Sequence, residues 1–397
     1  MKILNVIRAK TPVSDTVTDD PISQSGQVNI KLFSENNIPT EIFLYWIKLG
    51  DKHCTRVDYG DAFELSNGVL NGAPFEIISR IKSRTATLVL SWPLESFMED
   101  SIFLKIHEYF TFHNIPLSAI IYLNCCANGK ELYQSFCNRH SITTDKIIVE
   151  YIPWYLYDKS QLSLPYKPGK RSKIFLGFNR RMHEHRCLLV AWMHKENLLD
   201  RSFVSFPSHH VGTNENFLEK VKNYNHLFDQ YGITDDDIKN LNNKLPLTLD
   251  IDNWNPYPLP IISNRLNVFY ERSLISLVSE TFFYSNTVHL TEKTFKPIIN
   301  HHPFITISAP GTLKAIKSFG FRTFDTIIDE SYDEIDDHNL RFNAILNIIR
   351  DMSLWGTKKI ANASFELKET VEFNCDLLKS RPRIELNNFV DKYGVES

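Results

Sequence analysis

The densest run of reactive side chains is His289-Leu-Thr-Glu-Lys-Thr-Phe-Lys-Pro297. Its pattern is a turn entering a helix, with Thr291, Glu292 and Lys293 at the helix start. A helix N-terminus attracts anions through its free N–H groups and its dipole. Lys293 adds positive charge suited to a diphosphate, and the Glu292 carboxylate suits a ribose diol. Lys296 falls one turn after Lys293, on the same face. The same residues also spell ordinary capping, with Thr291 as N-cap and Glu292 in the first turn. Spacing alone leaves both readings open. Pro297 lies past the first turn, where its missing N–H interrupts a helix, so a short or kinked helix is expected.

A second candidate is Asn179-Arg180-Arg181, directly after an expected strand. Paired arginines at a strand's carboxyl end suit bidentate contacts to a pyrophosphate. Arg186 follows about one turn later. The alternative is surface charge opening a helix. Asp329-Glu-Ser-Tyr-Asp333 reads as a ligand for sugar hydroxyls or as a plain acidic loop. Asp250-Ile-Asp252 and Asp235-Asp-Asp237 are short acidic patterns of the kind that hold a divalent metal, but such patterns arise often by chance, and no metal is expected. His183 with His185, and His209 with His210, lack the i, i+4 spacing of a helical zinc site. They read as ordinary histidines, and His301 and His302 as structural ones. For a general base that deprotonates an acceptor hydroxyl, the candidate is Glu95, which follows an expected strand, with Glu99 and Asp100 behind it. Helix-starting acids explain all three equally well.

Thr291-Glu-Lys293 followed by His302-Pro-Phe-Ile305 resembles the donor motif of fucosyltransferases and exostosin-like transferases. Phe178-Asn-Arg-Arg181, His185-Arg186, Gly320-Phe-Arg-Thr-Phe324 and Asp329 to Asp333 extend the likeness to bacteriophage-encoded glycosyltransferases, over roughly residues 173–345. The resemblance implies a GT-B-like α/β fold of two Rossmann-like domains facing a cleft. It implies a nucleotide-diphosphate sugar as donor, a UDP-sugar favoured, with Glu292 on the ribose and Lys293 on the diphosphate. It also suggests an acceptor hydroxyl on a modified base of double-stranded phage DNA, such as 5-hydroxymethylcytosine, in the manner of a DNA glycosyl- or arabinosyltransferase. A polysaccharide or lipid-linked glycan acceptor is the alternative. A non-catalytic nucleotide or nucleic-acid binding module is the other.

These residues need a scaffold, and the chain supplies one. Short β-branched runs alternate with helical stretches: strands at Thr87 to Ser91, Ala119 to Asn124, Lys146 to Glu150, Lys173 to Phe178, Asp200 to Phe206, Leu274 to Val278, Pro303 to Ser308 and near Thr326 to Ile328. Helical periodicity marks Ser101 to Phe112, Gly129 to Arg139, His183 to Glu196, the segments from Glu292 and Gly311, and most of Asp337 to Asp376. Alternation of this kind means βαβ units and a mainly parallel sheet. Met1 to Ile7 reads as an opening strand. Pro165, Pro168 and Gly169 mark a linker between Tyr157 and Lys173. A polar stretch from Gly212 to about Asn253 reads as an insertion. The expected division is an acceptor-side domain over 1–165, a nucleotide-sugar domain over 173–345, and closing helices over 346–397.

With 397 residues, 43% of them hydrophobic, the chain can build two cores. A net charge of -3 argues against a bulk polyanion binder. The basic run from Lys167 to Arg186 could still form a local basic face. No apolar run reaches the roughly 18 residues of a membrane helix, and the N-terminus does not read as a signal peptide. Six scattered cysteines without a CxxC pair fit a reduced, cytoplasmic protein.

Overall fold

The structure, a computed structural model, describes residues 43–46, 75–85, 87–92, 98–153, 167–210, 215–249 and 267–381. Met1 to Ile7, Glu95, Asp250, Asp252 and most of the linker lie outside the described residues. The chain divides into two compact units: Met1–Trp154 with Pro382–Ser397, and Tyr155–Arg381.

The first unit carries four parallel strands, β1 (Phe43–Trp46), β2 (Leu88–Trp92), β3 (Ile120–Asn124) and β4 (Ile148–Tyr151), in that spatial order. Between them in sequence come α1 (Phe75–Lys82), α2 (Asp100–Phe112) and α3 (Gly129–Arg139). Parallel neighbours require such crossovers. Every residue of β3 is buried, as expected of a strand covered on both faces. In α2, Ile102, Phe103, Ile106 and Phe110 form one buried stripe. Phe103 meets Tyr133 and Phe136 of α3 at 5.0 and 5.2 Å between ring centroids. Glu99 precedes α2 and is exposed; Asp100 opens it and accepts from Arg139 Nε at 3.1 Å, tying α2 to α3.

The second unit is also a parallel sheet, of β5 (Phe175–Phe178), β6 (Ser202–Ser205), β7 (Ile275–Ser279) and β8 (Phe304–Ile307). Its order is β6-β5-β7-β8. The chain therefore leaves β5 toward β6 and leaves β7 toward β8, in opposite directions. Such a reversal makes a crevice at the carboxyl ends of the two central strands. The backbone register sharpens it. β5 pairs with β6 over four residues but with β7 only at Phe175↔Ile275 and Leu176↔Ser276.

Helix α4 (Glu184–Lys195) follows β5 and buries every residue from His185 to Met193. The polar stretch folds as α5 (Phe217–Lys222), α6 (Asn225–Gln230) and α7 (Asp235–Asn242). A capping box explains the acidic run at 235–237: Thr234 N and Oγ1 both donate to Asp237 Oδ2, at 2.9 and 2.7 Å. Then come α8 (Asn267–Arg272), α9 (Glu292–Ile299), α10 (Thr312–Ser318), α11 (His338–Ser353), α12 (Thr357–Glu366) and α13 (Lys368–Ser380). The last three belong to this unit, and α13 packs against α9.

Two sequence expectations change here. Thr326 to Ile328 is a turn: Ile327 N and Ile328 N both donate to Phe324 O, at 3.0 and 2.9 Å. Glu330 closes that loop by accepting from Thr323 Oγ1 and Phe324 N at 2.7 Å each, so the short apolar run never reaches a sheet edge. The basic run from Lys167 to Arg186 is also not one face. Lys167 to Lys173 precede β5, while Arg180 and Arg181 follow it, so a strand roughly 13 Å long separates them.

Arg341, in α11, is buried and donates to four carbonyls: Ser308 (3.1 Å), Ile335 (2.7 Å), Asp336 (3.0 Å) and Phe283 (2.6 Å). It thereby joins the loop after β8 to the loop after β7. Arg341→Met keeps the stem and strands these acceptors. We expect the second unit to lose at least about 3 kcal/mol of stability in urea unfolding. A loss under about 1 kcal/mol would take Arg341 out of this role.

Candidate functional site

The crevice between β5 and β7 is built from three chain segments. The first is the turn after β5. Asn179 is buried, and its N–H donates to Ser205 O at 3.2 Å, which fixes where the chain leaves the strand. Arg180 is half-buried and Arg181 is exposed. The chain then turns into α4 with His183 as N-cap, its carbonyl accepting from Arg186 N at 3.0 Å and Cys187 N at 2.9 Å.

The second segment is the end of β7. Where the backbone ladder stops, side chains from α4 take over. Arg186 Nη2 donates to Ser279 O at 2.7 Å, and His185 Nε2 donates to Glu280 O at 2.9 Å. Arg186 is therefore buried, not a surface charge. The Ser279 hydroxyl is buried and has no hydrogen-bond partner among the described residues.

The third segment is the start of α9. Thr291 is its N-cap, and Thr291 Oγ1 accepts from Lys293 N at 3.2 Å. Glu280, only 1% exposed, organises this end. Its Oε1 accepts from Thr291 N (3.0 Å) and Thr294 Oγ1 (2.7 Å), and its Oε2 from Thr291 Oγ1 (2.7 Å). The Lys293 ammonium lies 2.9 Å from Thr291 Oγ1, 3.4 Å from Glu292 Oε1 and 3.7 Å from Glu280 Oε2. The capping reading of this motif is thus realised. The N–H groups of Thr291 and Lys293 already have partners, so what α9 offers an anion is its dipole and the charge of Lys293. Pro297 sits inside the helix without ending it; α9 runs on to Ile299. It closes with His301 at φ +50 and with His302 N donating to Pro297 O at 2.9 Å.

The electrostatics show how these pieces meet. Burial, then Arg186, His185, Arg181 and Lys293, hold the His183 imidazole well below the usual histidine range. In space the His183 ring lies 6.0 Å from that of His185, which holds the Glu280 carbonyl, and the Glu280 carboxylate in turn lies 3.7 Å from the Lys293 ammonium. Burial and Lys220 lower His210 as well; Glu215 opposes them, and Arg181 and Arg186 add to them. His302 serves the sheet instead of the crevice. Its ring nitrogens meet Ser276 Oγ (2.7 Å) and Ser273 Oγ (3.2 Å) beneath the strands, and burial drives it down to about 3.

Of the expected donor residues, the structure gathers Asn179, Arg180, Arg181, Arg186, Thr291, Glu292 and Lys293 in the segments that bound the crevice. Lys296 acts on Glu292 from the next turn of α9. The candidate base Glu95 lies outside the described residues. Asp333 is occupied as the cap of α10, accepting from Leu313 N at 2.9 Å and Lys314 N at 3.0 Å. The residue that sequence reasoning missed is Glu280. Its signal was present: a carboxylate directly after the fully buried run Ile275 to Ser279. Among the described residues no three His, Cys, Asp or Glu side chains gather to hold a metal ion, and no helix is long and apolar enough to cross a membrane.

No protein-family model and no curated protein matches the chain. Solved structures do. The DNA modifying enzyme β-glucosyltransferase, solved with and without uridine diphosphoglucose, aligns at TM-score 0.36 and 12% identity over 98% of this chain and 96% of that one. T4 phage BGT in complex with UDP and Mn²⁺ aligns at 0.34 and 11% over 98% and 97%. A further T4 phage β-glucosyltransferase structure aligns at 0.37 and 12% over 98% and 96%.

Burial alone would raise the Glu292 carboxyl, but Lys293, Lys296 and its own N–H outweigh burial and hold it at about 2 against an ordinary 4.5. Its contribution to stability is therefore complete above 4.5 and is lost as pH falls through about 2. Urea unfolding of the native chain and of Glu292→Gln should differ by on the order of 3 kcal/mol near neutrality. That difference should fall by about half between roughly pH 5 and pH 3. A difference that does not change with pH would assign the effect to packing.

Proposed function

We propose that this chain is a glycosyltransferase of GT-B-like organisation that moves a sugar from a nucleoside-diphosphate donor, a UDP-sugar favoured, to an acceptor hydroxyl. The observation that carries the reading is the placing of Arg181 just after β5, of Arg186 on the Ser279 carbonyl and of Lys293 beside the Glu280 carboxylate, at the switch of the second unit's sheet. Open α/β sheets bind ligands there. Arginine and lysine are the groups that hold a diphosphate and stabilise it as it leaves. The buried Ser279 hydroxyl, at the end of β7 and without a hydrogen-bond partner among the described residues, is consistent with a polar ligand there.

In this reading Arg180, Arg181 and Lys293 take the diphosphate oxygens, while Lys293 exchanges part of its contact with Glu280 and Glu292. Glu292 accepts from the ribose hydroxyls, and Asn179 and Thr291 shape the crevice walls. Arg186, held by Ser279 O, supplies field. The leaving diphosphate is neutralised by these side chains, so no metal is invoked. Glu95 is the proposed base for the acceptor.

The proposed acceptor is the hydroxymethyl group of a modified cytosine in double-stranded DNA, a reading that rests on the resemblance of the sequence motifs to those of phage enzymes. A glycan hydroxyl is the competing acceptor. The chain, incubated with a panel of nucleotide sugars and with hydroxymethylated DNA or simple glycans, answers by mass spectrometry of the acceptor. Sugar added to neither would leave a nucleotide-binding module.

Two outcomes are expected at the donor site. Lys293→Ala should weaken UDP binding in calorimetry by about 10- to 100-fold, the loss of one charge-assisted contact of about 1.5–3 kcal/mol. Unchanged affinity in a folded variant would remove Lys293 from the site. Sugar transfer should also survive EDTA. Complete loss, restored by Mn²⁺, would move the diphosphate's neutralisation to a metal and draw attention to Asp250 and Asp252.

A further inference from the structure

Resting on the donor reading above, we propose that His183 takes up a proton as the donor diphosphate enters, so that anion and proton bind together. His183 stands at the N-cap of α4, half-buried, where the turn after β5 becomes helix. Its ring stacks on that of His185, with centroids 6.0 Å apart and planes at 14°. His185 is engaged with Glu280 O. Among the described residues the His183 ring nitrogens have no hydrogen-bond partner.

Charged groups reach it from each neighbouring element: Arg181 from the turn two residues before it, Arg186 from the first turn of α4, and Lys293 of α9 through His185 and Glu280, since His185 holds the Glu280 carbonyl and Lys293 lies 3.7 Å from the Glu280 carboxylate. Glu280 and Glu292, the carboxylates beside Lys293, are paired with it, and Glu280 also accepts from Thr291 and Thr294. Without an anion, a proton on His183 would be a further positive charge beside three cations, and the ring stays neutral. A diphosphate held by Arg181 and Lys293 reverses the sign of that field. The same cations are then screened by the phosphate oxygens, and an imidazolium gains an anionic partner. His183 therefore becomes a ligand of the bound state while remaining a neutral cap in the free state.

The test is calorimetry of UDP-glucose binding to the full chain between about pH 5.5 and 7.5, in buffers of different ionisation enthalpy. UDP-glucose is the right probe because its diphosphate is esterified at both ends and does not itself titrate in that range. The expected result is uptake approaching one proton at the acid end, with Kd tightening by up to about tenfold per pH unit as pH falls. In His183→Gln, and in His183→Asn as a second variant, uptake should vanish and the pH dependence flatten. The native and variant affinities should then converge near about pH 7.5. Binding without proton uptake in the native chain would overturn the proposal, as would uptake that persists in a folded variant. No binding of UDP-glucose at any pH would instead overturn the donor reading itself, and this inference with it.

Discussion

A buried carboxylate governs the crevice. Glu280 sits at the end of β7, almost wholly out of water, and burying such a charge is costly by several kcal/mol unless it is paired and hydrogen-bonded. Its partners are Thr291, Thr294 and Lys293, all at the start of α9. The carboxylate can be buried only if α9 begins where it does. The helix in turn gets its cap geometry from the carboxylate. Strand end and helix start are one unit, although they stand 11 residues apart in the chain.

The loop between them is fixed in the same way on its other side. His185 holds the Glu280 carbonyl, Arg186 the Ser279 carbonyl, and Arg341 the Phe283 carbonyl. Phe283 is also stacked on His185 at 5.3 Å and lies under the Arg341 guanidinium at 4.8 Å. Each of these donors is itself a buried side chain on a helix of the second unit. The crevice therefore does not depend on backbone pairing between β5 and β7, which ends two residues in. It is kept open by register and kept in shape by side chains.

This division explains what could be read from the sequence. Fully buried parallel strands are continuous apolar runs, so β3, β7 and β8 were legible, and so was α9 with Thr291 as its cap. Thr326 to Ile328 has the same composition over too few residues, and a hydrogen bond from outside the run, at Glu330, decided it. Arg186 was legible as a charge near a phosphate-type turn but not as a buried one, because its partner is a carbonyl 93 residues away. Glu280 was missed for the same reason. Local pattern identifies an acid after a strand; only the tertiary fold shows three hydroxyl and amide donors closing on it.

The arrangement also resolves a tension that any site for a polyanion must face. Arg180, Arg181, Arg186, Lys293 and Lys296 would repel one another if gathered alone. Here Glu280 and Glu292 are interleaved with the lysines, and both neighbouring histidines are held neutral by burial and by the cations beside them. The cations are thus assembled in the free protein at little electrostatic cost, with their geometry set in advance. An incoming anion need not order flexible side chains, and it meets a field that is already focused. What it must do is compete with the internal carboxylates for Lys293. Under the proposed function, that competition would limit how tightly a diphosphate is retained, as a site that releases its nucleotide after sugar transfer requires.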